Sequence, residues 1–215
     1  MATQDIPPRR RGRPPATNSA ETRAKIFDAA RHLFAERGYG AVTNRDLAAE
    51  AGLTTGSLYH YVDSKAELYA QVYDDVRARY YTRFDEAIAN SSGFVGKLEA
   101  VFDAAAALNR EDPHTAKFLS ALRSDIRRHE EVRALVAEAL AERERYFFAI
   151  VEVGVETGEI ADGDQGLVWE FIRLLLVGIT EGAANPIEEQ ALAIDAIKAM
   201  LDGRLIRQAA EAGEH

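Results

Sequence analysis

Apolar side chains recur along this chain in helical stripes. Ile26, Ala29, Ala30, Leu33 and Phe34 follow one another at helical spacing, Glu21 stands in the first turn and Gly38 follows Arg37 as a stop, which predicts a helix over about 20–37. Thr43-Asn44-Arg45-Asp46 sets a hydroxyl three residues ahead of an acid. That is a capping-box start, and Leu47, Ala48 and Ala51 form one apolar face before Gly52 ends a short helix over 44–51. Thr54 then caps a third short helix with Leu58 and Tyr61 inward, and Ser64-Lys65-Ala66-Glu67 opens a long one carrying Leu68, Val72 and Val76. Further stripes predict helices near 64–89, 93–109, 113–128, 130–157, 164–184 and 187–210, with Asp112-Pro113 and Asn185-Pro186 as cap-plus-proline starts. Val, Ile and Thr never alternate between turn signals, so the expected fold class is all-α, with about nine helices.

Composition narrows the chemistry. The 215 residues are 47% hydrophobic, enough for a core without staples. The absence of cysteine excludes disulfides, thiolate metal sites and thiol nucleophiles, and fits a reducing cytoplasm. His32, His60, His114, His129 and His215 show no metal-ligand spacing, so neither metal nor cofactor is expected. The longest apolar stretch, 171–179, is interrupted by Arg173 and too short for a bilayer; no membrane partner is expected. The Arg/Pro-rich start has no apolar run behind it, which does not fit a signal peptide. No nucleophile elbow, phosphate loop or dinucleotide fingerprint occurs, so an enzyme is not expected.

Charge is split along the chain. Residues 1–67 hold 10 Lys/Arg against 8 Asp/Glu, a net of +2, while residues 68–215 hold 16 against 27, a net of -11. A basic front on an acidic body places any polyanion partner at the front. There, two short helices joined by Ala51-Gly52-Leu53 have the geometry of a helix-turn-helix, whose second helix enters the major groove. Thr54, Thr55, Gly56 and Ser57 at the start of that helix are small or hydroxylated, which lets the backbone approach DNA, with Tyr59 and His60 projecting beyond them. Thr54 and Ser64 are also plain helix caps, and Tyr59 is equally suited to packing. Lys65 puts a cation beside a helix N-terminus, an unfavourable pairing that a phosphate would relieve.

The run from Gly38 through Thr43, Gly52, Tyr59 and Lys65 to Leu68, with Leu58-Tyr59-His60-Tyr61-Val62-Asp63-Ser64-Lys65 in register, resembles the DNA-binding domain of TetR-type transcriptional regulators. The resemblance implies a homodimer of about nine helices per chain that represses a promoter until a small molecule enters a C-terminal helical body. It implies a basic arm (1–18), a DNA-binding domain (19–67) and a ligand-binding and dimerisation domain (68–215). It puts Thr43, Asn44 and Arg45 on phosphates from the second helix, Thr54, Thr55, Gly56, Ser57, Tyr59 and His60 on the recognition helix, and Lys65 on a phosphate. The order of aromatic residues departs from that of many relatives; His60 is expected outward and Tyr61 inward.

Residues 1–18 are rich in Pro and Arg, a composition that predicts disorder in the free chain. Arg11-Gly12-Arg13-Pro14 looks like an AT-hook core, in which Arg11 and Arg13 would lie in a narrow minor groove; a basic tail acting by counterion release is the alternative. In the body, Phe102, Phe118, Leu122, Phe147 and Trp169 are large apolar residues on helices expected to converge on a cavity, with Arg123 and Arg173 available for a ligand's polar end. Packing without a cavity is the plainer account of the same residues. The segments 169–179 and 192–206 and the Gly178-Ile179-Thr180-Glu181-Gly182 spacing point to a dimer face on the last two helices. The arm also admits another reading, an architectural A·T-groove-binding protein without a small-molecule switch.

Overall fold

A computed structural model describes residues 16–183 and 185–205; Arg11 and Arg13 lie outside the described residues. These fold into nine helices with no strand among them: α1 (Ala16–Ala41), α2 (Asn44–Glu50), α3 (Thr55–Leu58), α4 (Lys65–Ala89), α5 (Gly93–Glu111), α6 (Pro113–Arg128), α7 (Glu130–Glu156), α8 (Gln165–Gly182) and α9 (Ile187–Leu201). No helix among the described residues is long and apolar enough to cross a membrane.

Local chemistry sets the helix ends. Thr43 forms both halves of a capping box with Asp46. Thr54 accepts from the Ser57 N–H, and Ser64 from the Glu67 N–H. Asp112 accepts from the N–H groups of His114 and Thr115, with Pro113 as the first helical residue of α6. Each such cap contributes about 1 kcal/mol. α9 starts at Ile187, as its range predicts, but its cap falls one position beyond the expected Asn185. Pro186 is the N-cap and makes no side-chain bond, and Gln190 instead donates to the carbonyls of Ala183 and Asn185.

One buried cluster runs from Ile26 in α1 to Ile194 in α9. Its centre is an aromatic chain: the Phe34 ring lies 4.8 Å from Tyr69, and Tyr69 lies 5.0 Å from Phe118. These three residues come from α1, α4 and α6, so the small N-terminal helices and the larger body share a core. α6 lies along α1, fastened by Arg31 to Asp112 at 3.0 Å and Lys117 to Glu36 at 2.9 Å.

Candidate nucleic-acid interface and ligand cavity

α2 and α3 meet at Gly52, whose φ of 70° is a left-handed conformation that costs a Cβ-bearing residue about 1 kcal/mol or more. The turn sends Leu58 fully into the core and leaves Thr54, Thr55, Gly56 and His60 exposed. Tyr59 is 49% exposed, and its hydroxyl accepts from the Asn44 side-chain amide at 2.6 Å. Asn44, on α2, therefore orients a ring projecting from the recognition helix. Arg45 is exposed, and Thr43 is held to Asp46, whose carboxyl the Thr43 hydroxyl and backbone N–H pull below the usual range. His60 points outward and Tyr61 is half-buried.

Lys65 departs from its expected geometry. Its ammonium donates to the carbonyls of Tyr39 and Val42, both at 2.8 Å, and lies 4.1 Å from the Tyr39 ring centre. The conflict between a cation and the start of α4 is relieved by carbonyls of the chain itself, and one ammonium N–H is left for an outside acceptor. Burial pulls its pKa below the ordinary lysine value, against the charges of Glu131 and Asp125.

The Tyr39 segment is also where the body grips this domain. Gly38 adopts φ 71° and ψ 164°, breaking the helical path within α1, so that the Tyr39 N–H points at α6. The buried Asp125 carboxylate accepts that N–H at 3.1 Å and the Tyr69 hydroxyl at 3.0 Å. Burial, with Glu131 and Asp125 nearby, pushes the Tyr39 hydroxyl up to about 12. A Cβ on Gly40 would meet His129 Nε2 at 3.1 Å, so the backbone and α6's C-terminal cap lie in close approach.

The body encloses a cavity of about 180 Å³ among α4, α5, α6, α7 and α8. Phe102, Leu122, Arg123 and Phe147 line it, as expected from sequence. Three expected residues do not. Phe118 is fully buried against Tyr69, a packing role in the shared core. Trp169 stands edge-on to Phe148 at 5.4 Å, and Arg173 is turned outward to Glu170. Position along α8 explains the misplacement: the cavity receives Leu176, Val177, Ile179 and Thr180, while Trp169 and Arg173 share their helical face but stand one to two turns nearer the start of the helix.

The wall that sequence reasoning missed is α4. Tyr73, Arg77, Tyr81 and Phe84 line the cavity at intervals of four and three, joined by Tyr80 and Val76. Asn109 accepts from the Tyr80 hydroxyl at 2.8 Å and donates to Gln190 at 3.0 Å. Arg77 pairs with Glu142 and Asp74, while Arg143 donates to Thr180 and to the Leu176 carbonyl. The Tyr81 hydroxyl and Arg77 Nε are buried with no protein hydrogen-bond partner. Such a group costs about 1–3 kcal/mol when nothing answers it.

Residues 26–72 match the sequence profile of the bacterial regulatory proteins of the tetR family. Over 173 residues the chain is 29% identical to the HTH-type transcriptional repressor KstR2 of Rhodococcus jostii, covering 74% of this chain and 80% of that one. Its fold is similar to that of the fatty acid degradation regulator FadR from Bacillus halodurans (TM-score 0.72, 18% identity, 87% of this chain and 97% of that one). It is likewise similar to FadR from Bacillus subtilis, solved in complex with stearoyl-CoA (TM-score 0.70, 22% identity, 87% and 99%). The helix-turn-helix stands at the matched positions with an all-helical body behind it, so the chain carries a DNA-binding domain of the tetR type and is similar to the tetR-family transcriptional regulators.

Proposed function

We propose that this protein is a cytoplasmic, ligand-responsive repressor that binds a palindromic operator as a homodimer and is released by a small, hydrophobic effector. The observation that carries this reading is the double duty of α6. Leu119, Leu122, Arg123 and Ile126 line the cavity, and Asp125, on the next face of the same helix, accepts from Tyr39 and Tyr69. A ligand that favours a different seat for α6 shifts the segment that carries α2 and α3, and with it the spacing of two recognition helices. Only a difference in affinity between the two arrangements can drive such a shift.

Two further features support the reading. Leu174 and Leu192 are 64% and 70% exposed on α8 and α9, and a Cβ at Gly178 or Gly182 would meet nothing within 4 Å, so a helical face there is open to a second copy. The similar FadR of Bacillus subtilis was solved with stearoyl-CoA, which suits an apolar cavity to a long-chain effector. In the DNA contact, Thr43, Asn44, Arg45, Thr55, Gly56, Tyr59 and His60 face the duplex, with Arg11 and Arg13 adding basic contacts from the arm.

The test is selection of bound fragments from genomic DNA, followed by titration of the best site with long-chain carboxylates and stearoyl-CoA. A palindrome released by one of these compounds is expected. Binding that tracks A·T content and ignores every compound would replace this reading with an architectural one. Removing residues 1–16 is expected to flatten the salt dependence of binding.

A further inference from the structure

Taking the cavity as the effector site proposed above, its hydrogen-bonding groups define what the effector carries. Among the described residues, the three cations on its wall, Arg77, Arg123 and Arg143, are all arginines, and no Asp or Glu lines it. Tyr81 and Arg77 stand one helical turn apart on α4, and each presents a buried donor, the phenol hydroxyl and Nε, with no protein acceptor. Arg143 reaches the same cavity from α7 and has no carboxylate partner among the described residues; its contacts are a hydroxyl and a carbonyl. Both guanidinium charges act on the Tyr81 phenol. The Tyr81 ring is held in place by Tyr146, stacked at 4.7 Å with planes 3° apart. Donors left over on the wall of an apolar cavity call for an acceptor brought by the ligand: a carboxylate or carbonyl oxygen answers them, whereas a cationic ammonium head, which has no acceptor, leaves them unanswered.

We infer that Tyr81, Arg77 and Arg143 form a subsite for an acceptor-only oxygen at the head of an amphipathic effector, a carboxylate or the carbonyl of its ester or thioester, whose apolar tail runs along Phe102, Leu122 and Phe147. Arg77, already paired with Glu142, holds part of the head. Arg143, which has no acid of its own, supplies the charge that favours an anion.

Calorimetric titration of the full-length chain with dodecanoate, methyl dodecanoate, dodecanol and dodecylammonium tests this. Dodecanoate is expected to bind about tenfold more tightly than dodecanol, and dodecylammonium most weakly. Equal binding of dodecanoate and its ester would assign the shared carbonyl as the recognised group; preference for dodecanoate assigns the charge. Tyr81→Phe keeps the ring and removes the hydroxyl. It is expected to weaken dodecanoate about tenfold, leave dodecanol within about twofold, and leave the thermal midpoint of the free chain unchanged or raised. Arg143→Met is expected to weaken dodecanoate in the same way. Dodecanol binding as tightly as dodecanoate, an equal loss of both in Tyr81→Phe, or a lowered midpoint in that variant overturns the subsite. The underlying reading fails separately: carboxylates that bind through Tyr81 yet never release operator DNA would sink the effector role and keep the subsite. Carboxylates that release DNA equally well from Tyr81→Phe would do the reverse.

Discussion

The helix-turn-helix and the cavity are built on opposite terms. At the DNA-facing end, the helix starts are answered from within the chain: Thr43 by Asp46, Thr54 by Ser57, Ser64 by the Glu67 N–H, and Lys65 by two carbonyls. In the cavity, the Tyr81 hydroxyl and Arg77 Nε have no protein partner, and Arg143 has no carboxylate among the described residues. Under the proposed function, a domain whose polar groups are satisfied locally presents DNA with a preformed surface, while a cavity whose donors are left over is where a ligand changes the energy. The two meet along α6, a wall of the cavity: Asp125 accepts from the Tyr39 N–H, and the Arg31–Asp112 and Lys117–Glu36 pairs fasten the same helix to α1.

The contrast can be broken at each end. The largest effect is expected on DNA affinity: Thr55→Glu puts an acid in the first turn of α3, where it suits the helix dipole but faces phosphate. Stability should be unchanged or slightly raised, while operator binding falls about 100-fold in fluorescence anisotropy. If affinity persists, α3 does not face the groove. Next comes the junction. Asp125→Ala strands the Tyr39 N–H and the Tyr69 hydroxyl in the core and should cost about 3 kcal/mol in urea denaturation. A loss under about 1 kcal/mol would mean that this bond pair does not hold the domains together.

The smallest effect concerns Asp112, the cap of α6. Burial raises its pKa, but the Thr115 hydroxyl, Arg31 and the backbone N–H groups outweigh burial and bring it below the ordinary value of 3.8. A lowered folded-state pKa stabilises the protein above that value and is lost as pH falls through the folded one. Asp112→Ala should therefore lower stability by about 1–2 kcal/mol near neutrality, and the difference from the parent chain should shrink with acidification below pH 3.8. A difference that stays constant through that range contradicts the assignment.

The same contrast explains what could be read from sequence. The geometry of the helix-turn-helix is set by contacts three residues apart, so caps at Thr43, Thr54 and Ser64 and the turn at Gly52 are visible in the order of residues, and the limits of α2 and of α4 to α8 fall within two residues of expectation. The cavity is assembled from five helices far apart in the chain. Composition picked out Phe102, Leu122, Arg123 and Phe147, but helical phase decides which side of a stripe faces inward. It turned Phe118 to packing, while Trp169 and Arg173 share the phase of Leu176 and Thr180 but stand one to two turns short of the cavity along α8. The polar wall of α4 escapes the sequence reading because Tyr73, Arg77 and Tyr81 flank the apolar stripe of Leu68, Val72 and Val76, and only the packing of α5 to α8 against them makes a cavity there. Lys65 was placed by its position in the motif, whereas the carbonyls that hold it belong to a turn more than 20 residues earlier, which only the fold brings near.

The measurement that tests the account most directly is the affinity of the chain for its operator with and without a saturating long-chain carboxylate, paired with the affinity for that carboxylate with and without operator. The account predicts that each weakens the other by the same factor, on the order of 10-fold or more, because α6 links the two sites. Equal operator affinity in the presence and absence of a carboxylate that demonstrably occupies the cavity would contradict it.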